Sequence, residues 1–204
     1  MDVLSSAAIH KMADFSTQDM SNTAWSLATL EMQNMPLMSA IAAASMKKIR
    51  QFRAQDFGNT AWAFAKLHVA DQSLMDAIAV AAMPKLREFP PQNITNLAWA
   101  FATLAIVDRL LLKAIAASAI CKLPEFNSQH LAHIFWSFAT LGILDKPLLY
   151  ANASEVIRKI SEFKAQEVAN TVWACAKLGY VNKPLLQALA AAALRKIGDF
   201  VPQD

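Results

Sequence analysis

Tryptophan occupies positions 25, 62, 99, 136 and 173, and every gap is 37 residues. These are all five tryptophans of the chain. Three other columns keep the same interval: Phe15, Phe52, Phe89, Phe126, Phe163 and Phe200; Gln18, Gln55, Gln92, Gln129, Gln166 and Gln203; Lys11, Lys48, Lys85, Lys122, Lys159 and Lys196. A fixed period of this size marks a repeat array, in which each unit buries its apolar face only against its neighbours. It predicts an all-α fold, a right-handed α-solenoid of helix-turn-helix repeats with a period of 37 residues. One solenoid domain is expected over 1–204: a half repeat at 1–14, full repeats at 15–51, 52–88, 89–125, 126–162 and 163–199, and the start of another at 200–204.

Residues 52–88 show how one repeat is built. Phe57, Ala61, Phe64 and Leu67 have the spacing of a buried helical stripe, which predicts a first helix over 55–67. Asp56 stands in its first turn, where the helix dipole favours an acid. A short loop leads to a second helix over about 73–87, with Leu74, Ile78, Ala82 and Leu86 inward. Pro36, Pro147 and Pro184 take the position of Ser73 in other repeats, and proline suits a helix start. Ala42, Ala79, Ala116, Ala153 and Ala190 form a row of small residues that lets stacked helices approach.

Composition narrows the functional classes. Hydrophobic residues make up 55% of the chain and glycine numbers only 4, which suits packed helices and leaves few tight catalytic turns. No phosphate-binding glycine loop, nucleophile elbow or paired-carboxylate motif is present, so a non-catalytic protein without cofactor or small-molecule substrate is expected. Apolar runs are too short for a membrane span. Cys121 and Cys175 fall at non-equivalent repeat positions and read as free thiols of a reducing compartment. The net charge of +3 permits nucleic acid without demanding it. Residues 1–14 align with a second helix and 203–204 with the start of a first one. Neither end carries a polar cap, so an excerpt of a longer array, or ends that dock on neighbouring protein subunits, is expected.

The motif Gln-Asp-x-x-Asn-Thr-Ala-Trp-x-x-Ala-x-Leu stands at 18–30 and 55–67. It recurs in altered form from Gln92 to Trp99 and from Gln166 to Trp173. It resembles the octotricopeptide repeat family of algal and protist organelles, and the related arrays beside RAP domains. The resemblance covers the whole chain and implies helical-hairpin repeats that bind RNA in a mitochondrion or chloroplast. Members act in RNA maturation, stability, translation and ribosome structure, so single-stranded RNA or rRNA is the implied ligand. The fourth repeat departs from the pattern with His130, His133, Ile134 and Phe135, and no RAP domain is evident.

Positions equivalent to 19, 22, 26 and 29 are expected to share one face of the first helix. They place Asn22, Asn59, Asn96, His133 and Asn170 in one row and Thr29, Lys66, Thr103, Thr140 and Lys177 in another. Amides present a donor and an acceptor to a base edge, and helical RNA readers use two or three side chains per base. The uniformity of the asparagines favours instead a ladder that satisfies the backbone of the next repeat. The acid column suits dipole compensation and the glutamines a structural role in the inter-repeat loop. The tryptophans can stack bases, but their alanine neighbours favour burial between repeats. The regular lysines suit phosphate contact or a local ion pair with the acid three residues on. The irregular cations Arg53 and Lys164 are better RNA candidates. His130 and His133 have a metal-compatible spacing but lack a third ligand. Two readings follow: an organellar RNA-binding repeat protein, or a protein-binding scaffold subunit of a large organellar complex.

Overall fold

The computed structural model describes residues 3–197 and is all-α, with no strand among them. Phe200, Gln203 and the expected repeat start at 200–204 lie outside the described residues. The first helix of each repeat is α2 (Thr17–Thr29), α4 (Ala54–Lys66), α6 (Pro91–Thr103), α8 (Ser128–Thr140) and α10 (Ala165–Leu178). The second helix is α3 (Met35–Lys48), α5 (Gln72–Ala82), α7 (Arg109–Lys122), α9 (Lys146–Lys159) and α11 (Lys183–Arg195). Ahead of them, α1 (Val3–His10) and a 3-10 turn at Met12–Asp14 form the expected half repeat. The second helix predicted over about 73–87 is shorter in α-form: it passes into a 3-10 segment at Met83–Glu88, where Pro84 lacks the N–H an α-turn needs.

The chain divides into two compact units, Met1–Ala114 and Ile115–Asp204. In the first, α2, α4 and α6 pack side by side in sequence, and α1, α3 and α5 pack along a second row. In the second, α8 packs on α10 and α9 on α11. Each is solenoid-type stacking of helical hairpins. The expected stripes are core: Phe57, Ala61, Phe64, Leu74, Ile78, Ala82 and Leu86 are buried, as is Leu67. The phenylalanine column seals the repeats, with Phe52, Phe89, Phe126 and Phe163 buried. Phe57 lies with its ring centroid 5.3 Å from Phe52 and 5.8 Å from Phe89. A buried ring of this size contributes about 2–3 kcal/mol. α4 approaches α6 closely at Gly58: a Cβ there would sit 3.1 Å from Asn93 Oδ1 and 3.3 Å from its Cα. In the small-residue row, Ala42, Ala79, Ala116 and Ala153 are buried, whereas Ala190 is exposed.

Two further columns set the helix ends. Asn34, Asp71, Asp108, Asp145 and Asn182 each accept the backbone N–H three residues on, capping the second helix of their repeat. Each first helix ends on a left-handed residue: Glu31, His68, Ala105, Gly142 and Gly179, with φ between 54° and 67°. The following N–H reaches back five residues, as from Val69 to the Phe64 carbonyl at 2.8 Å, which closes the helix terminus.

Candidate nucleic-acid interface

Packing buries most of α4, α6 and α8 and leaves one stripe of each in solvent, while α2 and α10 are more open. The exposed stripe runs through positions 18, 22, 25 and 29, a residue's rotation away from the expected 19, 22, 26 and 29. Position 26 turns inward in later repeats, where Ala63, Ala100, Ser137 and Ala174 are buried. Position 19 belongs to the helix start. Asp19 forms a reciprocal cap with Ser16, whose hydroxyl and N–H lower its pKa. Asp56 is buried and accepts from Thr17 Oγ1 (2.9 Å), Ser21 Oγ (3.2 Å) and the Arg53 N–H (3.0 Å). Glu167 accepts the Lys164 N–H at 2.8 Å. The acid column therefore acts as a cap, a more specific role than dipole compensation alone.

The tryptophan column departs from the expected burial. Trp25 and Trp173 are 45% and 44% exposed, and Trp62, Trp99 and Trp136 are part-exposed. The rings form ladders along the outer face rather than filling gaps within the core. Centroids are 6.4 Å apart for Trp25–Trp62 and for Trp62–Trp99 in the first unit, and 6.5 Å for Trp136–Trp173 in the second. The spacing of Gln18, Asn22 and Trp25, at i, i+4 and i+7, already traces one helical face. The alanine neighbours misdirect because they serve the opposite, buried side of the helix.

The asparagine row also departs from expectation. Among the described residues, the side chains of Asn22, Asn59, Asn96 and Asn170 make no hydrogen bond, so no ladder to the next repeat forms. Asn22 is exposed and the other three are half-buried beside the indoles. Gln18, Gln55, Gln92, Gln129 and Gln166 are exposed, and Gln18 accepts from Arg53 Nη2 at 3.1 Å, a link between side chains rather than through the loop. Asn22, Trp25, Arg53, Gln55, Asn59 and Gln92 help line one open groove of about 870 Å³ in the first unit. A nucleotide-sized ligand fits such a volume.

The remaining candidates divide. Lys66 is exposed and pairs with Glu31 at 3.2 Å, while Lys177 is exposed. Thr29 is exposed and donates to the Trp25 carbonyl at 2.9 Å. Thr103 and Thr140 turn their hydroxyl oxygens inward, buried and without a partner. Arg53 leaves 69% of its side chain exposed, with Nε 3.7 Å from Asp56. Lys164 is exposed at the equivalent position of the last repeat. His133 takes the asparagine position next to Trp136, and burial holds its imidazole below the usual histidine range against the opposing pull of Glu167. Burial first, then His133 and Lys159, lower His130, whose Nδ1 accepts the Asn127 N–H at 3.3 Å. No group of three His, Cys, Asp or Glu that could hold a metal gathers among the described residues.

Of the regular lysines, Lys48, Lys85 and Lys159 hold main-chain carbonyls rather than the residue three positions on. Lys48 Nζ donates to the Ala13 and Phe15 carbonyls at 2.9 and 2.7 Å. Lys85 does the same to Arg50 and Phe52 at 3.0 and 2.9 Å, and Lys159 to Pro124 and Phe126. Each ammonium caps the closing turn of the preceding repeat, where unpaired carbonyls concentrate negative potential. Both cysteines are free; burial raises the Cys175 thiol to about 11. No helix among the described residues is long and apolar enough to cross a membrane.

Residues 45–204 match the family described as RNA-editing substrate-binding complex 6 protein. This is a different family name from the one its motif resembles, and the two have RNA in common. No curated protein matches the chain.

Proposed function

The chain belongs to the RNA-editing substrate-binding complex 6 protein family, and from that premise we propose that it binds single-stranded RNA on the outer face of its first helices, without catalysis. The observation that carries this is the indole ladder, part-exposed and flanked by asparagine amides that no other protein group uses. Aromatic platforms hold bases by stacking, at about 1–3 kcal/mol per base. Amides with free donors and acceptors add hydrogen bonds to base edges. Arg53, Lys66, Lys164 and Lys177 supply a modest number of phosphate contacts. The work is done in an organelle, mitochondrion or chloroplast, within an RNA-editing assembly or a comparable RNA-protein complex.

The tryptophans themselves report the test, because all five belong to this column. Titration of the full chain with short single-stranded RNA should quench their fluorescence at low salt. Because few cations line the face, added salt should weaken binding only shallowly, by a log–log slope of about −0.7 per phosphate contact. Absence of both quenching and binding at low salt would overturn the proposal. A protein-binding scaffold is the second reading. Its support is an apolar groove of about 610 Å³ lined by Ile49, Ala77, Val80, Ala81 and Pro84 on the second-helix side of the first unit. Val80 is 68% exposed there.

A further inference from the structure

The turns that join first to second helices carry a pattern of their own. We propose that the turn edge of the second unit docks on an anionic lipid bilayer, with Leu144 and Val181 entering the headgroup layer and Lys146 and Lys183 meeting lipid phosphates. These residues lie outside the first-helix stripe, so the surface stands without the RNA reading.

The pattern is a triplet found in the last three repeats. Val107-Asp108-Arg109, Leu144-Asp145-Lys146 and Val181-Asn182-Lys183 hold equivalent positions, where the first two repeats have Gln33-Asn34-Met35 and Ala70-Asp71-Gln72. The fold accounts for the middle residue. Asp108, Asp145 and Asn182 accept the backbone N–H groups that open the second helix. The residues on either side turn outward. Leu144 is 49% exposed and Val181 74%, and Lys146 and Lys183 are exposed with no partner among the described residues.

The cations are also placed against the helix dipole. Arg109, Lys146 and Lys183 are the first residues of α7, α9 and α11. The positive end of the dipole lies there and disfavours a cation. Met35 and Gln72 open α3 and α5 without one. A charge that opposes its own helix and pairs with nothing in the chain points to an outside partner.

Within the second unit the two turns abut. Tyr150, in the first turns of α9, meets Tyr180 of the following turn with ring centroids 5.6 Å apart. The edge therefore gathers Leu144, Val181 and the exposed Tyr150 with two unpaired ammonium groups. The acid of these turns, Asp145, already accepts the Leu148 N–H. A bilayer matches this layout. A projecting apolar side chain sinks among the headgroups while a cation two residues on stays at the phosphate level. Tyrosine suits the same boundary, with its ring inward and its hydroxyl in water. An RNA strand would use the ammonium groups and leave the apolar tips in water. An acidic protein would need a matching hollow for each tip, and a fluid bilayer needs none.

The test is flotation of the full chain with extruded vesicles of phosphatidylcholine, alone or mixed equally with phosphatidylglycerol. The mixed vesicles should bind it about tenfold or more tightly, and the preference should fade at high salt. Lys146→Glu/Lys183→Glu should abolish the preference and leave RNA titration unchanged. Its thermal melt should hold or rise, since an acid suits a helix start. Leu144→Ser/Val181→Ser should weaken binding to the mixed vesicles by about tenfold at an unchanged melt. Failure of the parent to float with the mixed vesicles overturns the proposal, as does equal binding to both kinds. Undiminished flotation of the serine variant also overturns it, because charge attraction alone would then suffice. A glutamate variant that keeps its vesicle preference and loses RNA overturns it too and assigns the lysines to the nucleic-acid interface.

Discussion

Two polar columns of the molecule end in opposite situations. On the closing edge of the second helices, Lys48, Lys85 and Lys159 each hold two carbonyls of the preceding repeat. On the outer face of the first helices, Asn22, Asn59, Asn96 and Asn170 hold nothing. Both columns are periodic and polar, so periodicity alone cannot separate scaffold from site. The accounting of partners does. A cation whose donors are already taken by main chain has little left for phosphate. An amide kept beside an exposed ring, with every donor and acceptor open, is available to a ligand.

The contrast breaks cleanly if either column is truncated. Lys85→Met removes two charge-assisted hydrogen bonds and leaves the Arg50 and Phe52 carbonyls without them. It should cost about 2 kcal/mol of unfolding free energy and leave RNA affinity unchanged. Asn59→Ala should do the reverse: a stability change within about 0.5 kcal/mol, as for a surface site without partners, and weaker RNA binding. Urea titration and fluorescence titration on the same two variants measure all four quantities. A stable Lys85→Met protein that has lost RNA binding would put the lysines back on the interface.

A smaller effect tests a third regular column, which serves backbone geometry alone. Glu31, His68 and Ala105 hold φ near 54° at the end of a first helix, where Gly142 and Gly179 do so without a Cβ to strain. Ala105→Gly should therefore stabilise the chain by about 1 kcal/mol, the relief of left-handed strain less the added chain entropy. Destabilisation on urea titration would show that the Ala105 methyl packs better than its backbone costs.

Much of this architecture is legible in the sequence because repetition multiplies weak signals. The hairpin boundaries and the buried stripe from Phe57 to Leu67 follow from spacing and proline placement. The capping column at Asn34, Asp71, Asp108, Asp145 and Asn182 is visible in retrospect as acid or amide three residues before a leucine. The candidate face is legible only to within one residue's rotation. Helix periodicity names a face but not which side the next repeat covers, and that decides whether position 25 or 26 sees solvent. The roles of the lysines and asparagines are not legible at all. Each depends on atoms about one repeat away in sequence, and no local pattern states whether those atoms are within reach.

The smallest effect should come from the one repeat where the asparagine column is broken, and it is a dependence on pH. In the first unit the cap and amide positions hold Asp19, Asn22, Asp56, Asn59, Asn93 and Asn96, whereas the fourth repeat has His130 and His133. Both imidazoles have pKa values lowered from the ordinary 6.5, chiefly by burial. The folded chain therefore resists protons that the unfolded chain accepts. Stability contributed by these groups is complete above the ordinary histidine range and falls as pH drops through about 6.5. The cap gives the loss a structural form, since the Asn127 N–H needs an unprotonated Nδ1 on His130. Urea midpoints should decline between about pH 7.5 and about pH 5.5, the range that spans the ordinary histidine titration. The double variant His130→Asn/His133→Asn, which restores the amide type of the third repeat at both positions, should flatten that decline. An equal decline in the double variant would place the proton uptake elsewhere and leave the fourth repeat no different from its neighbours in its response to acid.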